Sequence, residues 1–164
     1  MHNKKEIFTA AIKQYEGLLY KIASLYTYTA EDRDDLLQEI IYQLWKSFDS
    51  FRQRSALSTW MYRVAMNTAI YHLKKDKRKV PTVSLDEKPF DHPDVKNDQL
   101  EEKWQTLRQH LNNLNLLDKG IVMLYLENKS HEEIAQITGI SISNVGTRLS
   151  RIREKLKQQI SKQQ

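Results

Sequence analysis

Cysteine is absent from the 164 residues of this chain, and glycine and proline are scarce, with four and three copies. Without cysteine the chain forms no disulfide, no thiolate zinc site and no cysteine nucleophile. So little glycine and proline leaves few tight turns, which argues against a many-stranded sheet and favours helices. No apolar run reaches about 18 residues, and the N-terminus does not resemble a secretory signal. We therefore expect an all-α, cytoplasmic protein that does not itself insert into a membrane.

The sequence motifs of enzymatic chemistry are also missing. The five histidines are scattered, and His131, although followed by two glutamates, lacks the second histidine of a zinc-protease helix. There is no glycine-rich phosphate loop and no G-x-S-x-G motif. We therefore expect no catalytic residue, no metal, no cofactor and no small-molecule substrate.

Charge is distributed unevenly along a chain whose net charge is +5. By segment the net charge is −2 for residues 1–51, +7 for 52–79, −4 for 80–103 and +4 for 104–164. All three prolines lie in the acidic segment, and proline disfavours helix. We interpret residues 80–98 as a flexible linker between two small helical domains, residues 1–79 and 99–164. The alternative is a long surface loop within one domain, which is less common at such length.

The first domain has the apolar spacing of a helical bundle. Apolar residues recur at three- and four-residue steps over residues 7–26, which predicts one amphipathic helix. Thr29 is placed to cap a second helix, whose acids and amides lie largely on one face. A third helix is predicted to begin near Ser55–Ser58 and to run to about Arg78. An acidic helix start also has a simpler interpretation as capping and solvation.

A polar and basic stripe follows the third predicted helix. Its members, at +4 and +7 spacing, are Arg63, Asn67 and Lys74. Trp60, Tyr62 and Tyr71 are interleaved with them, and an exposed aromatic face can stack on an unpaired base. The alternatives are that these aromatic residues belong to the core and that the cations at the helix end interact with its dipole.

The second domain contains the signals of a helix-turn-helix. Ser130 and Glu133 match a capping box, and Gly139 is suited to end that helix. The motif's spacing is shown by Ala135, Gly139 and Val145. In the helix before this motif, Asp118 is the predicted cap and Tyr125 is predicted to be buried.

The helix that follows Gly139 is the predicted recognition helix. Its expected exposed stripe consists of Asn144, Arg148, Arg151 and Lys155. Ser143, Asn144 and Thr147 lie toward its N-terminal end. Arginine can pair with guanine and asparagine with adenine, whereas further cations would contact phosphates. The alternative is a helical hairpin with a solvated basic face.

Taken together, the two halves resemble one known family. The segments DDLLQEIIYQLWKSFDSF and STWMYRVAMNTAIYHLKKDKRK resemble the second conserved region of bacterial sigma factors. The segment SHEEIAQITGISISNVGTRLSRIREKL resembles their fourth region, and the lack of a third-region domain resembles the extracytoplasmic-function type of the sigma-70-like family. The resemblance implies a protein that binds core RNA polymerase and promoter DNA, and that directs promoter recognition, strand opening and transcription initiation. It also implies restraint by an anti-sigma protein.

The resemblance assigns roles to individual residues. Those implied to bind core polymerase are Asp35, Gln38, Glu39 and Gln43. Those implied to bind the minus-ten element are Arg54, Ser55, Trp60, Arg63, Asn67 and Lys74. Those implied to bind the minus-thirty-five element are Ser143, Asn144, Thr147, Arg148 and Arg151. Three features depart from the family pattern: Gly146 often has a basic counterpart, Tyr71 often an aspartate, and the usual proline before the fourth-region helix pair is replaced in the segment LNLLDKG.

Two other functions remain open from the residues alone. A helix-turn-helix repressor or activator would use the first domain as a sensor or dimer module and would bind two symmetric half-sites. A small helical enzyme acting on nucleic acid would need a buried carboxylate pair with perturbed pKa values, for which the sequence offers no sign.

Overall fold

The computed structural model describes residues 3–76 and 98–162, and the chain divides into two units, residues 1–87 and 88–164. The helices are α1 Lys4–Gln14, α2 Glu16–Leu25, α3 Ala30–Ser47, α4 Leu57–Asp76, α5 Asp98–Leu111, α6 Leu116–Leu126, α7 His131–Thr138 and α8 Ile142–Lys162. The all-α, two-domain architecture is confirmed. The predicted linker lies outside the described residues except for Asp98, and the exact domain limits stay predictions. Across the two described ranges, no helix is long and apolar enough to cross a membrane.

The predicted helix over residues 7–26 is divided into two helices, so that prediction is wrong. The backbone leaves helical geometry at Tyr15, with φ −110° and ψ 21°, and this residue ends α1 and precedes α2. Phe8 on α1 is thereby placed against Trp45 and Phe48, with ring centroids 5.1 and 5.5 Å apart and near-perpendicular planes. Edge-to-face contacts of this kind add to the gain from apolar burial.

The core of the first unit lies between α2, α3 and α4. Thr29 caps α3 as predicted, since its Oγ1 accepts a hydrogen bond of 3.0 Å from the backbone N–H of Asp32. The fully buried side chains of α3 are Leu36, Ile40 and Leu44. They recur every four residues and so form one inward-facing stripe of α3. The predicted end of α4 at Arg78 lies outside the described residues.

The second unit is built around the helix-turn-helix formed by α7 and α8. The capping box of Ser130 and Glu133 is confirmed, and Gly139 ends α7 with φ 81°, a conformation that favours glycine. Two predictions about α6 are wrong. Its cap is Asn115, whose Oδ1 accepts a hydrogen bond of 2.8 Å from the N–H of Asp118, and Tyr125 is 42% exposed.

Candidate polymerase and nucleic-acid interfaces

One face of α3 presents acidic and amide side chains to solvent. Asp35 and Gln38 are exposed, whereas Glu39 and Gln43 are half-buried. Gln43 donates a hydrogen bond of 3.1 Å from Nε2 to Oε1 of Glu39, one helical turn away. The apolar repeat on the opposite side packs into the core and so fixes the direction in which this face points. The face is suited to a partner that offers cations and amide donors.

The loop between α3 and α4 is held by aromatic contacts. Trp60, half-buried at the start of α4, lies 5.1 Å from Phe51 and 6.1 Å from Phe48, measured between ring centroids. Arg54 is exposed, and Ser55 is half-buried with its hydroxyl 3.3 Å from the carbonyl oxygen of Ala56. The loop therefore presents polar side chains next to a cluster of aromatic side chains that includes Trp60.

An exposed polar and basic stripe runs along α4, as predicted. Arg63, Asn67 and Lys74 are all exposed. Tyr62 is only 4% exposed, so of the three aromatic residues it follows the alternative of belonging to the core. Tyr71 is 70% exposed and continues the stripe one turn beyond Asn67. The two tyrosines differ in exposure because Tyr62 lies on the inward-facing side of α4 with the buried residues, whereas Tyr71 lies on the outward-facing side.

The exposed stripe of α8 is rotated by one residue from the predicted one. Ser143, Thr147 and Arg151 are exposed at four-residue spacing, whereas Asn144 and Arg148 are half-buried. Lys155 is exposed but donates a hydrogen bond of 3.0 Å from Nζ to the carbonyl oxygen of Asn113. The predicted stripe was thus wrong about the exposure of two members. The group with the freest access to DNA is the row Ser143, Thr147 and Arg151.

Arg148 forms an ion pair that the sequence did not indicate. Its Nη1 donates to Oδ1 of Asp118 on α6 at 3.0 Å, and the two side chains are 31% and 17% exposed. The Nε of Arg148 is buried without a hydrogen-bond partner. The ion pair with Asp118 therefore holds one part of the Arg148 guanidinium group and limits the orientation of the rest of it.

A buried cation lies beside this pair. Lys119 is 5% exposed. Burial, and to a smaller extent the positive charge of Arg108, lower the pKa of Lys119 from 10.5 to about 8. Neither Lys119 nor the role of Asp118 was found from the sequence, because their partners are distant along the chain. The one available signal was the charge of Lys119 within an apolar helix.

Gly146 faces the first turn of α7. A Cβ at this position would lie 3.8 Å from Nδ1 of His131, an ordinary contact distance. A side chain here would begin beside His131 and not in the outward row of Ser143, Thr147 and Arg151. The departure from the family pattern at Gly146 therefore leaves that exposed row intact.

Comparison with protein families matches both halves of the chain. The model described as "Sigma-70 region 2" matches residues 11–79, and the model described as "Sigma-70, region 4" matches residues 105–156. The RNA polymerase sigma factor YlaC of Bacillus subtilis is 32% identical, with 83% of this chain and 82% of YlaC covered. The chain belongs to the sigma-70 family of RNA polymerase sigma factors.

Other relatives place this sigma factor in the extracytoplasmic-function type. The ECF RNA polymerase sigma-E factor of Haemophilus influenzae is 29% identical, covering 95% of this chain and 88% of that protein. Among solved structures, the sigma factor RpoE in complex with the anti-sigma factor NepR from Bartonella quintana is similar in fold, with a TM-score of 0.73 and 23% identity. That match covers 94% of this chain and 96% of RpoE. CnrH in complex with the cytosolic domain of CnrY has a TM-score of 0.70 and 18% identity over 99% of this chain and 92% of CnrH.

Family membership decides between the functions left open by the residues. A sigma factor directs transcription initiation by RNA polymerase at promoters, and both sigma regions occur here in the family's order. The family regulates transcription and is not generally enzymatic. The alternative of a repressor with symmetric half-sites is therefore set aside.

Proposed function

We propose that this sigma factor divides its work among three surfaces: the face of α3 for core polymerase, the loop before α4 with the α4 stripe for the minus-ten element, and α8 for the minus-thirty-five element. The observation that carries this assignment is exposure. Asp35 and Gln38 on α3, Asn67 on α4, and Thr147 and Arg151 on α8 all point away from their cores. Of the remaining members, Arg54 and Ser55 lie on the loop before α4, and the others lie on the same helices as these residues.

The α8 contact recognises duplex DNA by hydrogen bonds. Arg151 and Thr147 supply donors and an acceptor on the exposed row, and the half-buried Asn144 borders it. The ion pair with Asp118 already restricts the rotamers of Arg148. Less side-chain entropy is therefore lost when the rest of its guanidinium group contacts DNA. Ser143 lies in the first turn of α8, the end that enters the major groove in helix-turn-helix proteins.

Strand opening at the minus-ten element requires no covalent chemistry. Taking a base out of the stack costs a few kcal/mol, and a surface that holds the extruded base favours the open state. Arg54 and Ser55 on the loop, together with Trp60, form the surface that we assign to this base. Arg63 and Lys74 on α4 hold the backbone of the opened strand by phosphate contacts. Opening is thus the preferential binding of single-stranded DNA.

Run-off transcription tests this assignment as a whole. Purified protein is mixed with core RNA polymerase and a fragmented genomic library, and the transcripts are sequenced. The expected result is initiation at a limited set of sites that share two spaced sequence elements and are silent with core alone. Failure of the protein to bind core at micromolar concentration, or initiation without any shared elements, would contradict the proposal.

We also propose an anti-sigma protein as a partner and the cytoplasm as the site of action. RpoE, with the same fold, is described in complex with the anti-sigma factor NepR. The cytoplasm follows from the partners, because core polymerase and chromosomal DNA are there. A purified candidate that displaces this sigma factor from core polymerase fulfils the proposal, whereas one that binds without displacement contradicts its inhibitory role.

A further inference from the structure

The first turn of α8 carries an exposed isoleucine that is outside the set assigned to the minus-thirty-five element. Ile142 is 52% exposed. It follows Ser141, whose Oγ accepts a hydrogen bond of 3.1 Å from the backbone N–H of Asn144 and so fixes the start of the helix. A single exposed isoleucine is ordinary on a protein surface. The position of Ile142 is informative, because the start of a recognition helix is the end that meets the base edges of the major groove.

Gly146 lies one turn after Ile142 and leaves it uncovered. Side chains of a helix lean toward its N-terminus, so a side chain at position 146 would extend over the turn that contains Ile142. Glycine is less favourable than alanine within a helix, and the packing of α8 does not require it here. Apart from the chain neighbours and the helix backbone, the nearest atom to a Cβ at this position is Nδ1 of His131, at an ordinary 3.8 Å. The space over Ile142 is therefore available to a group from outside the protein.

A hydrogen-bond donor lies beside this apolar side chain. The hydroxyl oxygens of Ser141 and Ser143 are 3.3 Å apart. Because the Ser141 oxygen already accepts from Asn144, its hydrogen can be directed to Ser143, which leaves the Ser143 hydrogen for an acceptor in the groove. Thymine presents a C5-methyl group next to its O4 acceptor in the major groove. An isoleucine beside a hydroxyl donor matches that edge.

We propose that Ile142 packs against the C5-methyl group of one thymine in the minus-thirty-five element, and that the lack of a side chain at Gly146 permits this contact. The inference rests on the proposed function, because α8 must lie in the major groove. Among the four bases only thymine presents a methyl group there, so the contact selects one base pair at one position. Isoleucine is branched at Cβ and restricted in its rotamers, so little side-chain entropy is lost when it is covered.

The test measures binding of the holoenzyme to minus-thirty-five duplexes in which each thymine of either strand is replaced in turn by deoxyuridine. Deoxyuridine lacks the C5-methyl group and keeps every hydrogen-bonding group of thymine. With wild-type protein we expect one replacement to weaken binding about fourfold, as for the loss of one buried methyl-sized group. Ile142→Ala should weaken binding of the thymine duplex by a similar factor and should show no further loss on that replacement. Ile142→Val should keep most of the sensitivity to the methyl group, whereas Gly146→Gln, whose side chain extends over Ile142, should abolish it.

Ile160→Ala is the matched control, because Ile160 is also an exposed isoleucine of α8 and lies near the other end of the helix. It should behave like the wild type. If the holoenzyme prefers the cognate to a scrambled duplex, but no thymine position loses its methyl dependence in Ile142→Ala, the isoleucine contact is overturned while the proposed function stands. If the holoenzyme does not distinguish the two duplexes, the assignment of α8 to the minus-thirty-five element fails, and the isoleucine contact fails with it. Circular dichroism confirms that each variant is folded.

Discussion

At the scale of single residues, Arg148 and Arg151 have different tasks although both lie on the recognition helix. Arg151 is exposed, whereas Arg148 is tied to Asp118 across 3.0 Å. A hydrogen bond to a charged group contributes about 1.5–3 kcal/mol to stability. Removing Arg148 leaves Asp118 half-buried without its ion-pair partner, so the loss is felt in the fold as well as in DNA binding.

We predict that Arg151→Ala weakens holoenzyme binding to the minus-thirty-five duplex by about 1–3 kcal/mol and leaves the unfolding free energy unchanged. Arg148→Ala should weaken binding and also lower the unfolding free energy by about 1–2 kcal/mol. Fluorescence anisotropy on cognate and scrambled duplexes and urea denaturation separate the two effects. Lys157→Ala, an exposed cation farther along α8, is the control. Equal loss on both duplexes would identify Arg151 as a phosphate contact and contradict base recognition.

Lys119 gives the second unit a pH-dependent stability. Its pKa is about 8 in the fold and near 10.5 in the unfolded chain. Between these values the unfolded state holds the proton and the folded state does not, so the unfolding free energy rises with pH. Below pH 8 both states are protonated and the cost of the buried charge is fully present.

We predict that the unfolding free energy of the wild-type second unit rises by about 2 kcal/mol between pH 7.5 and 9.5 relative to the Lys119→Met variant. Methionine keeps the length and the apolar stem but does not titrate. Urea denaturation of the full chain at both pH values, followed by circular dichroism, measures the difference. A parallel pH dependence in the two proteins would show that Lys119 keeps its proton in the fold throughout this range.

At the scale of elements, the sequence predicted the features that depend only on residues close together in the chain. A cap joins groups three residues apart, so Thr29, Ser130 and Gly139 could be placed from their neighbours alone. The break at Tyr15 could not, because the apolar spacing continues across it without interruption. The same limit explains Asp118 and Arg148, which are 30 residues apart in the chain and meet only after folding.

The aromatic cluster of the first unit links α1 to the loop before α4. Phe8 contacts Trp45 and Phe48, and Phe48 contacts Trp60, which in turn contacts Phe51 at the start of the loop. Lys4 on α1 also pairs with Asp49 at 2.9 Å. Helix α1 therefore supports the loop that we assign to minus-ten DNA, although it carries no residue of that surface.

We predict that Phe8→Ala lowers the unfolding free energy of the first unit by about 3 kcal/mol, near the lower end for a buried phenylalanine because Phe8 lies at the edge of the core. Urea denaturation followed by tryptophan fluorescence reports it, since Trp45 contacts Phe8 and Trp60 contacts Phe48 in the same aromatic cluster. Ile7→Ala, an exposed neighbour on the same helix, should change the value by less than about 0.5 kcal/mol. Similar losses for both variants would show that the helix, and not the aromatic contact, determines stability.

At the scale of the whole molecule, net charge differs between the segments that we assign to different partners. The segment 52–79, with net charge +7, contains the α4 stripe, whereas residues 1–51, with net charge −2, contain the acidic face of α3. Two basic modules on one chain that bind the same duplex raise each other's effective concentration. Each module can then bind DNA weakly by itself while the two together bind selectively. The DNA affinity of the two together should fall steeply as the salt concentration rises.

The acidic face of α3 is the surface that we assign to core polymerase, and this assignment can be tested by reversing the charge of its acids. We predict that Asp35→Lys with Glu39→Lys weakens core binding about 100-fold or more, because opposing like charges at an interface cost several kcal/mol. Glu16→Lys with Asp34→Lys changes the net charge equally, at two exposed acids outside the assigned set, and should have little effect. Surface plasmon resonance with immobilised core polymerase measures both, and circular dichroism checks the fold. If the two double variants lose affinity equally, the net charge of the first unit governs docking, and the specific role assigned to Asp35 and Glu39 is wrong.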